Sequence, residues 1–180
     1  MGSGKTTVGM LLSRQLAWRF VDLDSRVEEV AHLSITEIFE RLGEPVFRQM
    51  EADQLRAALG RNAESKEGTV LALGGGTYAQ PGCPDFLRAA GAPVLWLDTP
   101  VDALLSRCMI MPGRPLFRDE TSFRALYAQR LPSYQQADYR VDSSGEPAQV
   151  VEEILRRGFV GGNPAETHLV VEKPWSSTGG

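Results

Sequence analysis

Gly2-Ser3-Gly4-Lys5-Thr6-Thr7 opens the chain and runs directly into a segment with apolar residues on one helical face. Each residue type here suits phosphate. Glycines let backbone N–H groups turn toward an anion without a clashing side chain. The first turn of the helix adds partial positive charge. A lysine at the end of such a loop reaches the β and γ phosphates of a nucleotide, and the next hydroxyl can ligate Mg²⁺. The run is the close of G-x-x-x-x-G-K-[ST]. The first glycine of that pattern falls before Met1, as does the apolar strand that would feed the loop.

Other residues add to this chemistry. Asp22 and Asp24 lie two apart at the end of the short apolar run from Phe20, so a strand there would point both carboxylates to one face. One suits a metal-bound water and the other a substrate hydroxyl; a strand end with a helix cap is the plainer alternative. Arg48 sits in Phe47-Arg48-Gln49-Met50-Glu51, where Glu51 can orient it by an i,i+3 contact. Arg130 stands four residues before Tyr134. Each arginine alone fits a solvated helix charge, whereas two together suit a bidentate grip on a carboxylate. Arg114 lies in Pro112-Gly113-Arg114-Pro115-Leu116, a segment that reads as a mobile loop. An arginine there can swing onto a γ-phosphate as charge develops.

These residues need rigid elements behind them. Val8, Leu11, Leu12 and Leu16 predict a helix from about Thr6 to Trp18. Phe20 to Asp24 predicts a strand. Ser25–Ala31 and Ile35–Leu42 read as short helices, the second capped by Ser34, and Pro45 fits the first turn of a helix to about Leu59. Gly60 to Gly68 is a polar turn. Thr69–Leu73, closed by Gly74-Gly75-Gly76, and Pro93–Leu97 read as buried parallel strands. Helices follow from Pro100 to Met109 and from Ser122 to Tyr134, then a strand at Tyr139–Val141 and a helix from Pro147 to about Arg157. Alternating strands and helices predict an α/β fold with a parallel sheet. The chain from Gly158 is rich in Gly, Pro, Ser and Thr and reads as a tail without regular structure.

One domain, residues 1–157, followed by the 158–180 tail, suits 180 residues. A net charge of −4 gives no general attraction for nucleic acid or anionic lipid. No apolar run is long enough to span a bilayer. Cys83 and Cys108 form neither a metal nor a disulfide pattern and read as reduced thiols in cytosol.

Taken in order and spacing, the Gly-Ser-Gly-Lys-Thr-Thr run, Asp22-Leu23-Asp24, Phe47-Arg48 with Glu51, Gly74-Gly75-Gly76, Arg114-Pro115-Leu116 and Arg130 with Tyr134 resemble the shikimate kinases. The resemblance spans about Met1 to Leu155. It implies a nucleoside-monophosphate-kinase-like fold: a five-stranded parallel sheet flanked by helices, a substrate-binding helical segment at about 25–60 and a lid at about 109–121. It implies ATP and shikimate as substrates, Mg²⁺ as cofactor, and a cytoplasmic, monomeric enzyme of aromatic amino-acid biosynthesis. By resemblance, Gly2 to Thr7 hold the phosphates, with Lys5 catalytic and Thr6 on the metal. Asp22 stands near the metal's water shell and Asp24 on the substrate hydroxyls. Arg48 and Arg130 grip the shikimate carboxylate, and Gly75 and Gly76 approach its ring. Arg114 is the lid arginine, while Arg107 and Pro147 flank the adenine. Ser143-Ser144-Gly145-Glu146 lacks the basic residue that some members place by the adenine. Another small-metabolite kinase, such as a gluconate kinase, and an inactive nucleotide-binding remnant are the rival readings. A sheet lacking its central first strand would leave two neighbours with unpaired backbone. On that ground the chain is expected to fold poorly and turn over little, and a start roughly ten residues upstream to restore it.

Overall fold

The helix after the glycine loop, α1 (Lys5–Leu16), turns Val8 and Leu12 into the interior, and Ala17 closes it in the left-handed region. The computed structural model describes residues 3–60, 68–109, 119–158 and 168–172. After α1 come β1 (Arg19–Asp22), α2 (Leu23–Ala31), α3 (Ile35–Leu42), α4 (Glu44–Gly60), β2 (Thr69–Ala72), α5 (Cys83–Ala89) and β3 (Val94–Asp98). The order continues with α6 (Val101–Met109), α7 (Glu120–Tyr134), β4 (Tyr139–Asp142), α8 (Pro147–Arg156) and β5 (His168–Glu172). Ser34 caps α3 as read from the sequence: its hydroxyl accepts from the Glu37 N–H, and the Glu37 carboxylate accepts from the Ser34 N–H.

Alternation along the strands builds a core on each face of the sheet. Leu71 and Leu73 around β2, with Val94 and Trp96 of β3, face Leu23, Leu55, Leu87 and Tyr134. Val70, Leu95 and Leu97 point the other way, against Val8 and Leu12 of α1 and Val150, Val151 and Ile154 of α8. A smaller cluster of Val27, Ile38 and Phe47 knits α2, α3 and α4 into one helical segment. The expected α/β architecture is present, and helix α5 lies in a stretch to which the sequence assigned no element.

Two expectations are corrected. Asp22 and Asp24 do not share a strand face: the strand ends at Asp22, which caps α2, and Asp24 is in the first helical turn. Leu23, buried between them, starts the helix early because the Asp22 carboxylate accepts the Asp24 and Ser25 N–H groups. The second correction concerns the tail. Residues 168–172 form β5, which lies in the middle of a five-stranded sheet ordered β1-β2-β5-β3-β4. All pairings are parallel, with Ala72 opposite Val171 on one side and Val171 opposite Leu95 on the other. The backbone groups of β2 and β3 that a missing strand would have exposed are therefore paired, and the ground for expecting a poorly folded chain is removed. Most of the turn expected at Gly60 to Gly68, of the lid expected at about 109–121 and of the tail lies outside the described residues.

Proline lacks an N–H and is not tolerated in a strand paired on both sides. Val170→Pro is therefore expected to destabilise the protein by on the order of 3 kcal/mol or more. Urea unfolding of the two proteins checks this; an unchanged midpoint would mean that β5 does not carry the sheet.

Candidate active site

The phosphate end of the site forms where α1 begins beside the end of β1. Gly4, with a φ of 82°, turns the chain into α1 and, being glycine, brings no side chain to cap the N–H groups of the first turn. Those donors stand ready for an anion. Lys5 is buried, and its ammonium lies 3.0 Å from Asp22 Oδ2 and 3.4 Å from Asp24 Oδ2. The Thr6 hydroxyl donates to the same Asp22 oxygen at 2.9 Å. Two carboxylates around one ammonium leave one negative charge beside a hydroxyl, a set of hard oxygen donors that fits Mg²⁺. Among the described residues no group of three or more His, Cys, Asp or Glu side chains could hold a metal. Burial raises the Asp22 pKa, but the Lys5 charge and the hydrogen bonds from Lys5, Thr6 and Ser25 outweigh it and hold the group below its ordinary value.

The second end forms around the loop leaving β2. Arg48 on α4 is gripped by two carboxylates: Glu44 accepts from Nε and Nη2 at 3.0 and 2.9 Å, and Glu51 accepts from Nη1 at 2.5 Å. Glu51 is fully buried and also accepts from the Thr77 hydroxyl at 2.6 Å. Burial pushes its pKa up, against the pull of Arg48 and Thr77, and Asp24 adds to the rise. The glycines of this loop are there for closeness. A Cβ on Gly76 would sit 2.8 Å from the Arg48 guanidinium, and one on Gly74 would sit 2.6 Å from Asp24 Oδ1. That Asp24 oxygen is buried with no hydrogen-bond partner among the described residues. From the opposite side, the Tyr134 hydroxyl on α7 donates to the Gly75 carbonyl at 2.8 Å. Arg130, also buried, lies one turn earlier on the same face of α7. A cleft of about 300 Å³ opens alongside, lined by Arg48, Glu51, Thr77 and Phe86 among others.

Of the residues named from sequence, Lys5, Thr6, Asp22 and Asp24 meet at one end, and Arg48, Gly74–Gly76 and the Arg130 helix meet at the other. Asp24 touches both groups. Ser3 is buried beside the loop, and Pro147 starts α8. Arg107 falls within α6; Gly2 and Arg114 lie outside the described residues. Sequence reasoning missed Glu44 and Thr77 and gave Tyr134 no role of its own. Glu44 had a signal, since it precedes Arg48 by one helical turn; Thr77 had none.

A parallel sheet with a phosphate loop at the start of α1, a helical segment over one edge and carboxylates beside the loop lysine define a P-loop kinase of the nucleoside-monophosphate-kinase-like class. The family model for shikimate kinase matches residues 1–158. The shikimate kinase of Geobacter sulfurreducens is 41% identical over 158 residues, covering 86% of this chain and 84% of that one. The shikimate kinase of Persephonella marina is 37% identical over 159 residues, covering 87% and 93%. The crystal structure of shikimate kinase from Aquifex aeolicus superposes with a TM-score of 0.73 at 34% identity, covering 87% of this chain and 90% of that one. That from Acinetobacter baumannii in complex with shikimate gives 0.76 at 34%, covering 87% of each. The chain belongs to the shikimate kinase family.

The lowered Asp22 pKa has a consequence for stability. A carboxylate with a depressed folded-state pKa stabilises the fold above its unfolded value, about 3.9, and that stabilisation is lost as pH falls through the folded-state value. The stability difference between the native chain and Asp22→Asn should be full at neutral pH and close on acidification below about pH 4. Urea unfolding across that range tests it; a difference independent of pH would contradict the ion pair with Lys5.

Proposed function

We propose that the chain transfers the γ-phosphate of ATP to the 3-hydroxyl of shikimate, as a monomer in the cytoplasm. The observation that carries this reading is the convergence of Asp24, Arg48 and the Arg130 helix on Gly74–Gly76, next to the phosphate lysine. A carboxylate-bearing ring gripped by Arg48 and Arg130 would lie over that loop. Its hydroxyl would meet the buried Asp24 oxygen that lacks a partner. Family membership favours shikimate over gluconate as the acceptor.

In this reading the first-turn N–H groups and Lys5 bind the β and γ phosphates. Lys5 exchanges part of its contact with Asp22 and Asp24 for phosphate oxygens. Thr6 and Asp22 would hold Mg²⁺, which when bound neutralises charge on the β and γ phosphates. Asp24 accepts a hydrogen bond from the 3-hydroxyl, orients its lone pair in line with the γ-phosphorus and takes the proton as the new P–O bond forms. Glu51 and Glu44 hold the Arg48 guanidinium in place before substrate arrives, so little ordering remains at binding. Arg114, from the lid, adds positive charge as the phosphoryl group transfers. Arg107 and Pro147 flank the adenine. Most of the rate enhancement comes from positioning and electrostatics.

The direct test is ADP release with shikimate or gluconate as acceptor; only shikimate should support it. Arg48→Ala and Arg130→Ala should each raise the shikimate KM by a factor corresponding to about 2–5 kcal/mol, with ATP affinity nearly unchanged. Collapse of ATP affinity at constant shikimate KM would sink the carboxylate assignment.

A further inference from the structure

Both oxygens of the buried Glu51 carboxylate are in use. Oε2 accepts from Arg48 Nη1 at 2.5 Å, and Oε1 accepts from the Thr77 hydroxyl at 2.6 Å. Thr77 is itself buried and is fixed by the turn that follows the glycines. Its N–H donates to the Gly74 carbonyl at 2.9 Å, and its carbonyl accepts from the Gln80 N–H at 3.1 Å. Branching at Cβ restricts χ1, so the hydroxyl has few other directions to take. A Cβ on Gly74 would come within 3.2 Å of the Thr77 hydroxyl, 3.3 Å of Glu51 Oε1 and 2.6 Å of Asp24 Oδ1. Three polar groups therefore crowd over one glycine, and two of them, Glu51 and Asp24, are like charges there.

We propose that Thr77 is a positioning residue for the acceptor's carboxylate: its hydroxyl keeps Glu51 ionised and aimed at Arg48, and so sets how far pH can fall before Arg48 loses its grip on shikimate. The inference rests on Arg48 belonging to the shikimate site. The balance of charge shows why a neutral hydroxyl matters. Burial favours the protonated acid and Asp24 adds to that, whereas Arg48 and Thr77 favour the carboxylate; the sum leaves the Glu51 pKa above its ordinary value. Further charges act through these neighbours: Glu44 shares Arg48, and Lys5 of α1 offsets Asp24 of α2. Arg56 and the Cys83 thiol of α5 line the same cleft, but Arg56 is exposed and pairs with Asp53 at 2.9 Å. Without the Thr77 hydroxyl, Oε1 would be a buried carboxylate oxygen short of a donor, and Glu51 would take a proton at higher pH. A protonated Glu51 gives up the charge-assisted bond to Arg48 for a neutral acceptor of roughly half the strength. The guanidinium is then left to Glu44, whose side chain is 41% exposed. Arg48 meets its ligand less ordered, and that cost falls on shikimate binding. ATP, held by Lys5 and the first turn of α1, does not share it.

Calorimetry of shikimate binding over a series of pH values, on the native chain, Thr77→Val and Thr77→Ser, tests this. Valine keeps the shape without the hydroxyl, and serine keeps the hydroxyl. Shikimate affinity of the native chain should fall on acidification. In Thr77→Val the fall should begin at higher pH, with binding about tenfold weaker within it, and Thr77→Ser should return it toward the native position. The shikimate KM should carry the same displacement, while kcat and the ATP KM keep their native pH dependence. The pH at which affinity falls does not depend on the fraction of chains that fold, so a loss of folded protein does not mimic the result. An unmoved profile in Thr77→Val would overturn the proposal, and a uniform loss at every pH would reduce Thr77 to a packing residue and overturn it too. Tighter binding at low pH would also overturn it, since relief of repulsion between Glu51 and the substrate carboxylate would then outweigh the ordering of Arg48. A native chain that binds no shikimate at any pH would overturn the reading of the site along with this inference, whereas an unmoved Thr77→Val profile leaves that reading standing.

Discussion

Two strands in the middle of this molecule each present a row of backbone donors and acceptors that only a third strand between them can satisfy. Every other feature depends on that ladder. β2 ends in the glycine loop, β1 ends in the carboxylate that caps α2 and holds Lys5, and β3 leads to the helices that carry Arg130. An unpaired buried backbone group costs roughly 1–3 kcal/mol, and several of them would rival a typical total stability of about 5–15 kcal/mol. β5 removes that cost with a strand from after the last helix. The sheet keeps parallel pairing throughout.

Charge is arranged on the ladder by a single device used twice. A buried or nearly buried cation is held by two carboxylates: Lys5 by Asp22 and Asp24, Arg48 by Glu44 and Glu51. In each pair one carboxylate is also fixed by a hydroxyl, from Thr6 on Asp22 and from Thr77 on Glu51. Such charges cost several kcal/mol to desolvate if left alone, so neither cation could wait unpaired for its ligand. The carboxylates hold each cation near where an anionic ligand would meet it. Asp24 lies between the two clusters, bonded to Lys5 through one oxygen and packed near Gly74 with the other.

Much of this was legible from residue types and spacing. The phosphate loop, the Ser34 cap, the apolar alternation of β2 and β3 and the possible Arg48–Glu51 contact are local features, written within a few residues of one another. What escaped reading depends on contacts distant in sequence. Thr77 meets Glu51 only because β2 returns beside α4, and the Tyr134 bond to Gly75 joins residues from opposite halves of the sheet. The D-x-D pair misled because propensity favoured continuing the strand, whereas the Asp22 cap ended it. β5 was the largest omission. Leu169-Val170-Val171 has strand character, but a composition rich in Gly, Pro, Ser and Thr on both sides masked it. Nothing local tells a short apolar run that a vacant slot awaits it elsewhere in the fold.

The central claim is that β5, paired with both β2 and β3, carries the sheet on which the site stands. The most direct measurement compares the 180-residue chain with one ending at Gly158, following thermal unfolding and shikimate-dependent ADP release in both. With β5 as the central strand, the full chain melts in one cooperative transition and turns over, whereas the shortened chain loses cooperativity and activity together. A shortened chain that melts as sharply and releases ADP as fast as the full one would contradict the account.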